Sequence, residues 1–297
     1  MNPGTFRAGF VSFVGRPNVG KSTLMNALVG EKVAITSSKP QTTRHAIRGI
    51  VHRDEGQLVI VDTPGIHRPR TLLGQRLNDL VQATLSDVDV IAMCVPATDP
   101  VGPGDTFISQ EVMKYPKAKK IALITKTDSA SKEQIAERLM EVDQLANWET
   151  LVPVSAVTGE QLDIVVAEIL ALMPPSEPLY PPEDTSEQSL EVRIAELVRE
   201  ATLEDVSDEL PHSIAVTIDE MGVSERGVHQ IFASLWVERD SQKGIMIGKG
   251  GSKLKEVGTR ARAEIEHLLG HSVYLSIQVK VSKEWQRDAK KITKLGL

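Results

Sequence analysis

A chain of 297 residues, at roughly 150 residues per domain, accommodates two domains that each bury a core of their own. With 41% hydrophobic and 25% charged residues it is neither wholly disordered nor fibrous. Its single cysteine, Cys94, excludes an internal disulfide framework and points to a reducing, cytoplasmic setting. No apolar run approaches the ~18 residues of a membrane helix. The net charge of −6 hides an asymmetry: residues 241–297 carry 9 Lys and 3 Arg against 5 acidic residues, a balance of +7, which leaves −13 on residues 1–240. A basic surface for a polyanion therefore belongs at the C-terminal end and a different task to the rest.

In chain order, Ala8 to Val14 is short, has no small-residue cleavage site and leads into a glycine-rich motif, so it reads as a strand rather than a signal peptide. The apolar runs Phe10 to Val14, Leu58 to Val61, Val88 to Val95, Ile121 to Ile124 and Leu151 to Val154 read as buried strands. Helical spacing occupies Lys21 to Val29, Leu77 to Leu85, Gly104 to Lys114, Lys132 to Leu145 and Glu160 to Leu172. This alternation predicts an α/β fold with a doubly wound, mostly parallel sheet over residues 1–174, with ligands at the carboxyl ends of the strands. Residues 175–189 follow as a linker: from Pro174 to Ser189 five prolines and four acidic side chains leave neither helix nor central strand. Residues 190–297 then switch from a helical stripe (Leu190, Ile194, Leu197, Val198, Ala201) to alternation around Ile214, Val216 and Ile218. A strand at Gln230 to Val237, a helix at Lys253 to Leu269, a strand at Val273 to Val281 and a helix from about Lys283 to Lys294 complete an α-β-β-α-β-α order. That order predicts a smaller α+β domain with helices on one face of a sheet.

The segment Gly15-Arg16-Pro17-Asn18-Val19-Gly20-Lys21-Ser22, with Thr23 behind it, follows a strand and opens a helix, the setting a Walker A loop requires. Glycines let successive N–H groups point at phosphate oxygens, the helix N-terminus adds its positive end, Lys21 reaches the β and γ phosphates, and Ser22 offers a hydroxyl to Mg²⁺. Asp62-Thr63-Pro64-Gly65 ends a strand, placing a carboxylate to hold the Mg²⁺ hydration shell and a glycine N–H for a γ-phosphate. Between them, in Gln41-Thr42-Thr43-Arg44-His45, Thr43 is the candidate that closes on Mg²⁺ when a triphosphate is bound. Base identity falls to Thr125-Lys126-Thr127-Asp128: a buried carboxylate on Asp128 accepts from guanine N1–H and the 2-amino group, donors that adenine lacks in that arrangement. Ser155-Ala156-Val157 stands ready to support the base through backbone N–H groups.

These motifs, in order and spacing, resemble those of the translation-factor-related GTPases across roughly residues 8–172, which implies GTP hydrolysis to GDP and phosphate. The resemblance is imperfect at Thr125, where the family usually has Asn; a lost buried contact costs about 1–3 kcal/mol, so nucleotide affinity is the property at stake. It also implies slow intrinsic turnover, because Ile66 stands where signalling relatives carry a water-positioning glutamine, and a K⁺ ion held by the Asn18 side chain. Lys21, Thr43, Gly65 and Asn18 are the catalytic candidates.

Gly248-Lys249-Gly250-Gly251 precedes the long helix, with Lys253 and Lys255 on it; a G-x-x-G hinge admits close approach of a nucleic-acid backbone. With the local charge and element order this is similar to a type II K homology domain for single-stranded RNA. Glu209-Leu210-Pro211, Val237-Glu238-Arg239 and the Trp285-containing last helix extend the likeness, so the whole chain resembles GTPases of bacterial ribosome assembly. The likeness implies the 3′ end of 16S rRNA and the small ribosomal subunit as partners rather than DNA, a monomer, and a minor peripheral membrane fraction beside the cytoplasmic one. A constitutive RNA scaffold with a weakened nucleotide site is the alternative; a GTPase serving a tRNA-modifying enzyme shares Asn18 but not the basic GxxG domain. Trp148, Trp236 and Cys94 are expected in the core, and His45 and His67 as exposed loop residues.

Overall fold

The run RAGFVSFV over Arg7–Val14 (β1) is apolar on both faces, as a central parallel strand requires; Val11 and Phe13 are fully buried, each contributing roughly 1.5–3 kcal/mol by burial. The computed structural model describes residues 6–37, 39, 42–65, 71–204, 213–225 and 227–297. The chain forms two compact units, the first comprising described residues of Met1–Ala34, Thr43–Arg68 and Arg76–Glu187, the second those of Ile35–Thr42, Pro69–Gln75 and Gln188–Leu297.

In the first unit β1 is followed by Lys21–Val29 (α1), Ile47–Arg53 (β2), Gly56–Asp62 (β3), Leu72–Asp87 (α2), Val90–Pro96 (β4), Pro103–Val112 (α3), Lys119–Thr125 (β5), Lys132–Asp143 (α4), Thr150–Pro153 (β6) and Leu162–Leu172 (α5). The sheet order is β2-β3-β1-β4-β5-β6. Only β2 runs antiparallel, against β3; it is an edge strand absent from the sequence expectation. One apolar layer joins the sheet to α1 and α5 through Leu24, Met25, Leu28, Val165 and Ile169. A second joins its other face to α2, α3 and α4 through Val81, Leu85, Ile108, Val112 and Val142. The chain leaves β1 toward β3 and leaves β4 toward β5, so a crevice opens at the carboxyl ends of β1 and β4. The proline-rich stretch lies along this unit: Gln57 Oε1 accepts from the N–H groups of Leu179 and Tyr180, and Ile50 N–H donates to the Thr185 carbonyl.

In the second unit Leu190–Glu204 (α6), Ala215–Val223 (β7), His229–Val237 (β8), Asp240–Ile247 (α7), Ser252–Leu269 (α8), Val273–Val281 (β9) and Ala289–Lys294 (α9) follow in order. Strand β8 is central, antiparallel to β7 and parallel to β9. Ile194, Val198, Ile231, Val257, Ala261 and Ile265 pack α6 and α8 on one face. Three expectations change. Asp240–Ile247 forms a helix, α7, that the expected α-β-β-α-β-α order lacks. The last helix is shorter, because Asp288 caps it with bonds from the Lys290 and Lys291 N–H groups. Trp236 leaves the core: it alternates with buried Leu235 and Val237, is half-buried on the opposite face, and carries the Lys280 ammonium 5.4 Å from its ring centroid. Trp148, Cys94 and Trp285 are buried. Glu209-Leu210-Pro211 lies outside the described residues.

Candidate nucleotide and nucleic-acid sites

Gly15 leaves β1 where a Cβ would stand 2.6 Å from the Cys94 carbonyl oxygen at the end of β4, so no other residue fits. Asn18 (φ 64°) and Gly20 (φ 98°) take left-handed backbone conformations that curl the loop. Helix α1 then starts at Lys21 with no side-chain cap from Gly20, so its first N–H groups face the crevice as an anion site. The buried Lys21 ammonium donates to the carbonyls of Gly15 (3.2 Å) and Arg16 (3.0 Å). Val19 is buried and contributes its carbonyl to the base side of the site.

Ser22 Oγ donates to Asp62 Oδ2 at 2.6 Å, and Thr43 Oγ1 donates to the same oxygen at 3.1 Å. The other carboxylate oxygen, Asp62 Oδ1, is buried with no hydrogen bond. Burial pushes Asp62 up and Lys21 down, and the charge of each opposes the shift of the other. Two hydroxyls and a carboxylate with an unsatisfied buried oxygen form a hard-oxygen set suited to Mg²⁺, with water and nucleotide phosphates as further ligands. Among the described residues no three His, Cys, Asp or Glu side chains cluster as a metal site. Thr63 is buried, and its hydroxyl donates to the Phe13 carbonyl at 3.4 Å. Gly65 faces the Gly15 carbonyl and the Pro17 ring, both 3.8 Å from where a Cβ would stand. Gln41, Ile66 and His67 lie outside the described residues.

On the base side, buried Thr125 donates Oγ1 to the Val19 carbonyl at 2.6 Å. Its hydroxyl thus ties the base loop to the phosphate loop, a bond within reach of the shorter side chain. Asp128, expected as a buried carboxylate, is exposed. Hydrogen bonds from Ser155 Oγ (2.6 Å) and then Ser129 hold its carboxyl below the usual carboxylate range, so it stands ionised. The Ser155 N–H donates to the Glu160 carbonyl at 3.1 Å, so the part of Ser155 turned to the base loop is its hydroxyl rather than its amide. Ala156 is half-buried and Val157 exposed beside it.

In the second unit Gly248 (φ 72°) has Lys253 folded against it: a Cβ there would stand 2.8 Å from Lys253 Cβ. The turn Lys249–Gly251 joins α7 to α8, exposing Lys249, Gly250 and Lys255 and leaving Gly251 and Lys253 half-buried. The sequence carries no signal that Ile35–Thr42 belongs to this unit's fold. Ile35 is buried with Leu203, Ile214 and Leu235, Thr36 N–H donates to Glu200 Oε1 at 2.8 Å, and Arg199, paired with Glu196, donates to the Thr42 carbonyl. Apolar pattern alone does not tell which core a short loop residue joins.

Comparison with known proteins matches residues 10–127 to the model of a 50S ribosome-binding GTPase family and residues 209–286 to that of the KH domain. The GTPase Era of a Nocardioides species is 55% identical over 300 residues, covering 98% of this chain and 96% of the relative. The chain belongs to the Era family of GTPases. The Era of Mycolicibacterium smegmatis is 56% identical, over 98% of this chain and 99% of the relative. An Aquifex aeolicus Era variant bound to GDP and AlF4⁻, and an Era in complex with MgGDPNP and nucleotides 1506–1542 of 16S ribosomal RNA, each superpose with a TM-score of 0.94. Both are 36% identical, over 98% of this chain and 99% of theirs. The fold is thus that of Era, a mostly parallel α/β GTPase sheet followed by a KH domain, and the activity is GTP hydrolysis. Among the described residues no helix is long and apolar enough to cross a membrane.

Proposed function

We propose that this Era-family GTPase binds 16S rRNA near its 3′ end through the second unit and assists small-subunit assembly, with GTP and GDP as the states of the switch. The observation that carries the reading is the full-length likeness to an Era that holds this RNA and MgGDPNP together, joined to a charge of +7 over residues 241–297. Gly248 to Gly251 admit the RNA backbone, and Lys249, Lys253 and Lys255 neutralise its phosphates.

In the nucleotide site Gly15 to Thr23 cradle the phosphates, with Lys21 on β and γ oxygens. Ser22 and Thr43 hold Mg²⁺ directly and Asp62 holds it through water. The ion neutralises charge that develops on the phosphates when it is bound. Thr63, Pro64 and Gly65 meet the γ-phosphate, Gly65 through its N–H. Asp128 reads guanine, Lys126 covers it, Thr125 fixes the loop, and Ser155 orients Asp128, with Ala156 and Val157 flanking the base. Asn18 is the side-chain ligand for K⁺, a role supported by family resemblance. With no hydrogen-bonding side chain at Ile66, the reaction relies on positioning and charge stabilisation and turns over slowly. Residues 1–174 act as the GTPase domain, 175–189 as the linker and 190–297 as the KH domain of a cytoplasmic monomer; a minor peripheral membrane fraction rests on resemblance alone.

The test is equilibrium binding of a labelled single strand matching the 16S 3′ end, against a scrambled strand, at fixed salt in GTP-analogue, GDP and nucleotide-free buffer. Preference for the matched strand that strengthens with the analogue is expected. Equal affinity in all three states rules out a nucleotide-gated switch, and no preference over the scrambled strand rules out this RNA.

A further inference from the structure

Arg16 lies in the phosphate loop, yet its guanidinium turns away from the phosphate site. Nε donates to Asp105 Oδ1 at 2.8 Å, and Nη2 stands 3.8 Å from Asp99 Oδ2, buried and without a hydrogen bond. Asp105 is wholly buried, and its second oxygen accepts the Gly102 N–H at 3.0 Å, closing the first turn of α3. Gly104 makes the room: a Cβ there would press on Arg16 Cδ at 2.9 Å. The backbone of Arg16 meanwhile receives the Lys21 ammonium. From the start of the same segment, the Ala97 N–H donates to the Thr125 carbonyl at 2.8 Å. Residues 97–105 therefore hold the phosphate loop at one end and the base loop at the other.

We infer that Asp105, through its partly buried ion pair with Arg16, is a positioning residue that presets the phosphate loop for nucleotide. This inference rests on the assignment of Gly15 to Ser22 as the phosphate site. A carboxylate with both oxygens engaged fixes the Arg16 stem, and with it the carbonyls of Gly15 and Arg16 that steer Lys21. Because the Arg16 guanidinium is directed to Asp105 and Asp99 and reaches the phosphate site only through the loop backbone, the pair acts equally on ground and transition states; its loss raises Kd and KM rather than lowering kcat. Each single variant leaves one member of the pair without its partner, the wholly buried Asp105 or the half-buried Arg16, so single variants lose more than a variant in which both charges are removed.

The experiment measures GTP and GDP affinity with fluorescent nucleotides, kcat at saturation, and thermal unfolding in nucleotide-free buffer, for Asp105→Asn, Arg16→Gln and the double variant. In Asp105→Asn the amide oxygen still accepts the Gly102 N–H, so α3 keeps its cap. Expected are affinities about tenfold or more weaker for both nucleotides in each single variant, kcat of Asp105→Asn within about twofold of the parent, and recovery to within about threefold in the double variant. Asp99→Asn, at the exposed end of the cluster, is expected to change affinity by less than about twofold. Affinity unchanged in the single variants, a loss confined to kcat, or additive losses in the double variant overturns the inference. Lys21→Ala separates its failure from that of the phosphate-site assignment: parental affinity in that variant removes the assignment itself.

Discussion

The bond from Thr125 Oγ1 to the Val19 carbonyl, 2.6 Å long and buried, makes Thr125→Val a sharp test of how this chain does without the family's usual asparagine. Valine has nearly the shape of threonine, so the change opens no cavity; it strands a buried carbonyl, at a cost of about 1–3 kcal/mol. For a domain of this size each kcal/mol lowers the melting temperature by roughly 2–4 °C, so the nucleotide-free variant should melt roughly 2–12 °C below the parent. If the tie is needed in full to hold the base and phosphate loops at nucleotide-binding distance, the same energy sets a ceiling of about 5- to 150-fold on the loss of GDP affinity. Thr125→Asn should retain both properties, because an amide N–H can donate to the same carbonyl with a second left over. Differential scanning calorimetry, following the first unit's transition, and titration with a fluorescent GDP read the two effects. A valine variant that melts and binds like the parent would refute the reasoning, and so would an asparagine variant as weak as the valine one.

Lys21→Ala should abolish tight nucleotide binding while the second unit keeps its melting transition and its RNA affinity in nucleotide-free buffer; retained nucleotide binding would show that the ammonium is not at the phosphates. Lys249→Glu, at an exposed position next to Gly248, should weaken RNA and flatten its salt dependence by about one charge, with GTP turnover unaltered in the absence of RNA; an unchanged salt slope counts against the GxxG turn as the RNA contact. Ser155 and Ser129 hold Asp128 below its ordinary range, and guanine requires the ionised carboxylate. Preference for GTP over ATP should therefore stay flat from about pH 7 to about pH 5, since the midpoint of protonation lies below the ordinary aspartate value of about 3.9. In Ser155→Ala the loss on acidification should begin at higher pH than in the parent, and competition titrations showing the same onset in both would remove Ser155 from this role.

What the sequence determined is local. Strand, phosphate loop and helix are contiguous from Arg7 to Val29, so Gly15 to Ser22 reveal their chemistry from spacing, and Asp62 does so by ending an apolar run. The KH order, apart from the short helix α7, was legible in the same way, through the change of apolar period after residue 201 and the basic glycine turn before α8. Trp236 shows where that reasoning stops: alternation puts it on the face opposite Leu235 and Val237, all three are apolar, and only packing decided that the face of Leu235 and Val237 is the core. The second limit is distance. Thr125 meets the Val19 carbonyl across 106 residues and Arg16 meets Asp105 across 89, because the order β1-β4-β5 brings the ends of these strands side by side. No local pattern encodes those meetings, since each side chain is compatible with an exposed loop until the sheet places its partner. The sequence by itself determined which chemistry the chain carries; strand order and burial decided which groups hold that chemistry in position.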